Sequence, residues 1–299
     1  MCQDTIYFKL NGTPSSKLDS PAYYSLKQEI NLLYNNNYGI IKYYMNDSIY
    51  DKGEYSDPEG IRHNGKYECY YENGSLKSDG LYSNGNKDGF WKNYYENGQL
   101  KEFLEFEIDN ELLYPKKTIL TYLNNSGDTL VVHGSGYYEE FNTNNGSMAS
   151  GKVKKGNKEG EWVCYRPNGE LYYKEFYNNG KLTEGTSYDL YGKSYKYSKI
   201  ESAAEPKKGV QEFYNFIAKN IRYPHVARKN RIQGIVYVQF IVDENGELTN
   251  IEVVKGFDSA CDNEAKYTLS LCKSWLPAKQ RGQNVKQRII LPITFKLGS

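Results

Sequence analysis

The sequence predicts a mainly β chain that ends in an α+β unit: stacked antiparallel β-hairpin repeats first, then a small α-β-β-α-β domain. Three observations carry this. The 299 residues hold 31 Tyr and 27 Gly beside 3 Met and 3 His, which suits half-exposed sheets where amphipathic rings cover a pleated face. A Tyr-, Asn- and Gly-rich motif recurs through the first two-thirds of the chain. After it, the apolar spacing turns helical, then alternating, then helical again.

At roughly 100–200 residues per domain the length predicts two domains. Charged residues make up 25%, a globular share that argues against wholesale disorder. Residues 1–205 hold 23 basic and 29 acidic side chains, a balance of −6, and residues 206–299 hold 15 and 8, a balance of +7. Such a switch suggests two units with different surroundings. No apolar run approaches the roughly 18–20 residues of a membrane-spanning helix.

Residues 1–39 read as a β segment leading into the repeats. Met1-Cys2-Gln3-Asp4-Thr5 turns polar at once, without a secretory apolar core. Either the protein is cytoplasmic or the chain begins where a signal peptide was removed. Cys2 is then a candidate lipidated residue, and a missing amino-terminal anchor the only expected link to a membrane.

Residues 40–192 form the repeat domain. Asn64-Gly-Lys-Tyr-Glu-Cys-Tyr-Tyr-Glu-Asn-Gly-Ser-Leu-Lys recurs at +24 as Asp88-Gly-Phe-Trp-Lys-Asn-Tyr-Tyr-Glu-Asn-Gly-Gln-Leu-Lys, and again at +71 from there as Glu159-Gly-Glu-Trp-Val-Cys-Tyr-Arg-Pro-Asn-Gly-Glu-Leu. The last shift also carries Gly80, Gly85, Asn86 and Lys87 onto Gly151, Gly156, Asn157 and Lys158. Aromatic alternation makes a short strand. Asn73-Gly74, Asn97-Gly98 and Asn168-Gly169 are expected to turn it as type I′, and a second strand such as Leu76–Tyr82 ends at Asn84-Gly85. Each repeat is a hairpin that buries its aromatic face only against its neighbours. Residues 104–134 interrupt the pattern; Asn125-Ser126-Gly127-Asp128 between apolar runs suggests an inserted hairpin. The motif resembles MORN-type repeats of the YwqK antitoxin-like group, over about residues 40–105 and 135–190.

Residues 193–208 are short, polar and aperiodic, and read as a linker. The second domain, 209–299, opens with Val210, Phe213, Ile217 and Ile221 at helical spacing. Tyr223-Pro224 stops that helix, and Pro224 opens a short one to about Lys229. Ile235–Val242 alternates, Asp243-Glu-Asn-Gly246 turns the chain, and Leu248–Val254 returns antiparallel. Ser259-Ala-Cys-Asp262 resembles a capping box ahead of a helix through Ala265, Leu269 and Cys272, which Trp275 and Pro277 end. Arg281-Gly282 turns the chain into a last strand, Val285–Leu297.

These residues strongly resemble the C-terminal domain of the TonB family of energy transducers. The matching runs are Tyr223-Pro-His-Val-Ala-Arg228 and Ile232-Gln-Gly-Ile-Val-Tyr-Val-Gln-Phe-Ile-Val-Asp243. They continue through Gly246, Glu264-Ala265, Trp275-Leu-Pro277, Gly282, Val285 and Leu291-Pro-Ile-Thr-Phe295. The resemblance implies a periplasmic protein-interaction module of a Gram-negative envelope. In the family, an extended segment of an outer-membrane transporter adds as a strand beside the domain's last strand, in support of transmembrane transport. Carried over, the partner-binding residues are Val285, Lys286, Arg288, Ile290, Pro292 and Thr294 on the docking edge, with Asn220, Ile221, Arg222, Tyr223 and Pro224 nearby. Pro292 supports an edge position independently, since Pro is tolerated at sheet edges with its missing N–H outward. Lys286 and Arg288 also fit an edge that resists aggregation.

No catalytic residue, cofactor, metal or nucleic-acid partner is expected. His63, His133 and His225 lie in unrelated contexts, the cysteines form no CxxC, and no phosphate loop or nucleophile elbow appears. Two other readings stand beside the leading one. The MORN-like repeats could be the functional surface of a scaffold or adaptor, or the chain could be antitoxin-like. The partner's identity and the oligomeric state stay open.

Overall fold

A computed structural model of the chain describes residues 5–9, 14–15, 21–26, 30–33, 35–109, 115–272 and 275–297. Cys2 and its expected lipidation lie outside them. The chain divides into two compact units: residues 1–169 with 177–181, and residues 170–176 with 182–299.

In the first unit the strands from Tyr38–Tyr44 to Asn157–Tyr165 each pair antiparallel with the next in sequence. Thr5–Phe8 pairs with Tyr23–Leu26, which pairs with Tyr38–Tyr44. Lys116–Leu123 and Thr129–Val132 make the extra hairpin. Its turn is held by Asn124 Oδ1, which accepts from the N–H groups of Ser126 and Asp128 at 3.0 and 2.9 Å.

The repeat seen in the letters is a repeat in physics. Trp91 and Trp162, 71 positions apart, are both fully buried. Each ring lies over a cross-strand glycine, Gly80 or Gly151, where an added methyl would come within 2.3 or 2.5 Å of it. Each indole N–H donates to a backbone carbonyl, Leu81 at 3.0 Å and Lys152 at 2.9 Å. Each carries a lysine ammonium over its face, Lys87 at 3.8 Å and Lys158 at 4.0 Å. The cation–π contact lets a lysine stem be buried without losing a favourable field for its charge.

Two kinds of turn alternate, which corrects the expected turn type. At Asn73-Gly74, Asn97-Gly98 and Asn168-Gly169 only the glycine has positive φ, at 82, 82 and 84°. These are type I turns closed by a left-handed glycine. In the first, Asn73 Oδ1 accepts from Ser75 N–H at 2.9 Å, which holds Asn73 right-handed. Type I′ turns sit at the opposite ends of the strands, with both central φ positive at Asn84-Gly85, His133-Gly134, Lys155-Gly156 and Asn179-Gly180. Both edges are stitched from one repeat to the next. Tyr44, Tyr71 and Tyr95 hydroxyls donate to the carbonyls of Tyr70, Tyr94 and Leu123 at 2.9, 2.8 and 2.8 Å. On the type I′ side, Gly85, Gly156 and Gly180 N–H groups donate to the carbonyls of His63, Gly134 and Lys158 at 2.8, 2.8 and 2.9 Å.

Two charged clusters inside this unit are satisfied from several sides. The Lys42 ammonium lies 4.6 and 4.4 Å from the ring centres of Phe8 and Tyr55 and donates to Gly60 O at 2.7 Å. Burial pushes the nearby Asp51 carboxyl up to about 6, with Lys42 and a hydrogen bond from Tyr55 pulling the other way. Glu140 is partly desolvated, yet Lys117 and Lys158 at 2.7 and 3.1 Å outweigh that and hold it at about 2.

In the second unit, residues 193–208 are not the aperiodic linker expected of them. Ser194–Tyr197 pairs with Gly185–Tyr188, Glu201–Ser202 with Lys279–Gln280, and Glu205–Pro206 with Trp275–Leu276. Polar composition concealed these strands because they are only two to four residues long, too short to show a period.

Beyond them come helix α1 (Val210–Asn220), α2 (His225–Lys229) and α3 (Ser259–Ser270), with strands Gly234–Val242, Leu248–Lys255 and Gln287–Phe295. The three strands form one sheet with Gly234–Val242 in the middle. Val236, Val238, Phe240 and Val242 face Phe213 and Ile217 of α1 and Ala265 and Leu269 of α3 in one core. The Trp275 ring meets Phe213 and Phe240 edge-on at 5.2 and 5.5 Å. The α3 cap is one residue earlier than expected: Asp258 accepts from Ala260 and Cys261 N–H at 3.1 and 3.0 Å. The helix ends at Ser270, so Cys272 lies beyond it.

Candidate protein-docking edge

The last strand, Gln287–Phe295, pairs along its whole length with Gly234–Val242, from Gln287↔Val242 to Phe295↔Gly234. Its other side has no strand partner among the described residues. Alternation sorts its side chains: Leu291, Ile293 and Phe295 are buried in the core, while Arg288, Ile290, Pro292 and Thr294 are exposed. Pro292 sits opposite Tyr237. Lacking an N–H, proline fits where that position faces outward.

The last strand expected over Val285–Leu297, with its docking edge Val285–Phe295, is not continuous. Val285 belongs to a separate strand, Gln283–Val285, and pairs with Ala278. Lys286 lies at the break, 3.9 Å from Glu244. The chain changes partner there, because Arg281-Gly282 folds Gln283–Val285 back onto Ala278–Gln280 before the chain reaches the central strand.

The upstream group is only partly brought to this edge. Tyr223 reaches the last strand, its ring perpendicular to that of Phe295 at 5.6 Å, and its hydroxyl donates to Ile232 O. Arg222 N–H donates to Glu264 Oε1 on α3 at 2.7 Å. Ile221 caps α1 and packs against the core, and Pro224 precedes α2. Asn220 donates to Phe216 O at 2.8 Å and lines a recess of about 400 Å³ with Phe213, Phe216, Leu271 and Cys272. So Asn220 and Arg222 belong to the surroundings of α1 and α3.

Arg281, expected only as half of a turn, donates from Nε to Glu175 Oε1 at 2.9 Å; the two lie more than a hundred positions apart, and no local pattern ties them. Among the described residues, no group of His, Cys, Asp and Glu is placed to hold a metal ion. No helix there is long and apolar enough to cross a membrane.

Residues 219–297 match the family of the Gram-negative bacterial TonB protein C-terminal. That match begins near the end of α1 and closes on the last strand. An NMR solution structure of the Helicobacter pylori TonB C-terminal domain is similar at 23% identity, over 30% of this chain and 80% of that one, with a TM-score of 0.25. No curated protein matches the chain. The TonB C-terminal family is a non-catalytic protein-interaction domain, and the match assigns this TonB-like segment that general role. The strand-rich region before it is consistent with MORN-like repeats.

Proposed function

We propose that this protein captures an extended segment of an outer-membrane transporter, or of another envelope protein, by strand addition beside Gln287–Phe295. In this reading it works in the periplasm of a Gram-negative bacterium, in support of transmembrane transport. The observation that supports it is the one-sided pairing of the last strand, whose outer side chains, Arg288, Ile290, Pro292 and Thr294, are all exposed. Main-chain groups on such an edge supply affinity and the alternating side chains supply selectivity. A partner segment faces a main-chain gap at Pro292 and the positive charge of Arg288, so an acidic residue near the latter is favoured.

The test is to titrate the full chain with peptides from the amino-terminal segments of outer-membrane transporters, following binding by calorimetry. Wild type should bind at least one of them. Ile290→Pro, which removes an outward donor, should weaken binding roughly tenfold or more, the loss of one to two net hydrogen bonds. Absence of binding across a broad panel to the folded chain overturns the reading.

A further inference from the structure

Arg281 occupies the tip of the Ala278–Gln280/Gln283–Val285 hairpin, in a type I′ turn with Gly282. The tip is held from several directions. The guanidinium lies 4.0 Å over the Tyr173 ring, and its Nε donates to Glu175 Oε1 at 2.9 Å. Glu175 is fully buried, and the same oxygen also accepts from Tyr197 OH at 2.8 Å. Ser187 OH donates to Arg281 O at 2.7 Å, and Gln283 Nε2 donates to Ser187 Oγ at 2.9 Å. Arg281 N–H donates to Ile200 O at 2.6 Å. At the other end of the segment, Gln287 Oε1 accepts from Ala204 N–H at 2.6 Å.

Every partner in this set (Tyr173, Glu175, Ser187, Tyr197, Ile200, Ala204) lies before residue 219, outside the matched TonB segment. Between these points the entry to the last strand is held within the TonB-like segment, by Asn284 Nδ2 donating to Glu244 O at 2.8 Å and by the pairing of Val285 with Ala278, but the hairpin tip and Gln287 are also held by residues that segment does not contain. A buried carboxylate that accepts from both an arginine and a tyrosine is strongly specified in geometry, since its charge-assisted hydrogen bonds are directional.

We infer that Arg281 is a positioning residue which, through Glu175, joins residues 170–176 and 182–204 of the second unit to the docking edge as one cooperative body. The start of the docking strand is held in place from there, and a partner seated on the edge is felt in those residues. The second consequence rests on the docking reading; the first does not.

The experiment is hydrogen exchange on the full chain, wild type against Arg281→Met and against the double variant Glu175→Gln/Arg281→Met, which leaves no unpaired buried charge. Amides of 279–288 and 200–204 should exchange roughly tenfold faster or more in both variants, while those of 236–242 keep their protection. A purely global loss of stability would raise exchange in all three segments together, and would overturn the inference, as would unchanged exchange at 279–288 in both variants. A transporter peptide that binds wild type should slow exchange at 200–204 and should bind the variants several-fold more weakly. If no peptide binds wild type, the docking reading fails, and the exchange comparison alone still decides the positioning role.

Discussion

Gly80 and Gly151 are where one added methyl is most disruptive. A Cβ at either would press into an indole ring that is fully buried and already hydrogen-bonded, so the ring has no easy way to yield. Gly80→Ala and Gly151→Ala should each destabilise the chain by about 1–3 kcal/mol, read as a lower urea midpoint. Gly74→Ala, in open space at a turn, should cost only the strain of its left-handed backbone, about 1 kcal/mol. His63 makes a second residue-scale case. It stacks on Tyr82 and meets Tyr55 at a tilt, both at 4.5 Å, and its Nε2 is buried without a hydrogen-bond partner. Burial, with Lys42 nearby, lowers its pKa to about 4 from an ordinary 6.5. The unfolded chain therefore takes up a proton that the folded chain refuses between those values. Stability from this group is complete above about pH 6.5 and is lost as pH falls toward 4. Measured against His63→Phe by urea unfolding, wild type should lose about 1–2 kcal/mol over that window after allowing for solvent screening. The difference between the two proteins removes the opposite trend expected of Asp51.

Elements were legible wherever one face is apolar over several residues. The period-two run Ile235–Val242, the spacing of Phe213 and Ile217, and the strand pairs flanking Tyr71–Gly74 and Tyr95–Gly98 all declare themselves. What escaped was decided by single residues. Asn-Gly has one reading in isolation and two in the chain, because a side-chain hydrogen bond to Ser75 keeps Asn73 right-handed whereas Asn84 goes left-handed. The α3 cap moved because Asp258 has the shorter reach to Ala260 and Cys261, leaving Asp262 to accept from Phe257 N–H at 3.4 Å. Replacing that cap, Asp258→Ala, should cost about 1 kcal/mol in denaturant unfolding, while Ser259→Ala should cost only a few tenths.

At the scale of the whole molecule, the acidic-to-basic switch placed a boundary near residue 205, but the compact carboxyl-terminal unit reaches back to residue 170. Strands of two to four residues at 194–206 are too short to show a period, and the Glu175–Arg281 pair spans too much sequence for any spacing rule. Of the candidate site, the exposed row Arg288, Ile290, Pro292 and Thr294 was readable from alternation and one proline. The break at Lys286 was not, since it depends on which strand each neighbour meets. A fragment of residues 170–299 should therefore unfold at a clearly higher urea concentration than one of 207–299, which lacks the partners of Lys279–Gln280 and Trp275–Leu276. The Trp-over-Gly pairing has one more consequence. Long polar-faced meanders can slide by two residues and still keep rings inward, yet here each indole fits only above a residue without a side chain. Displaced either way along the neighbouring strand, it would strike Ser78 or Tyr82 around the first notch, and Ala149 or Val153 around the second. Sliding is thus blocked twice, seventy-one positions apart.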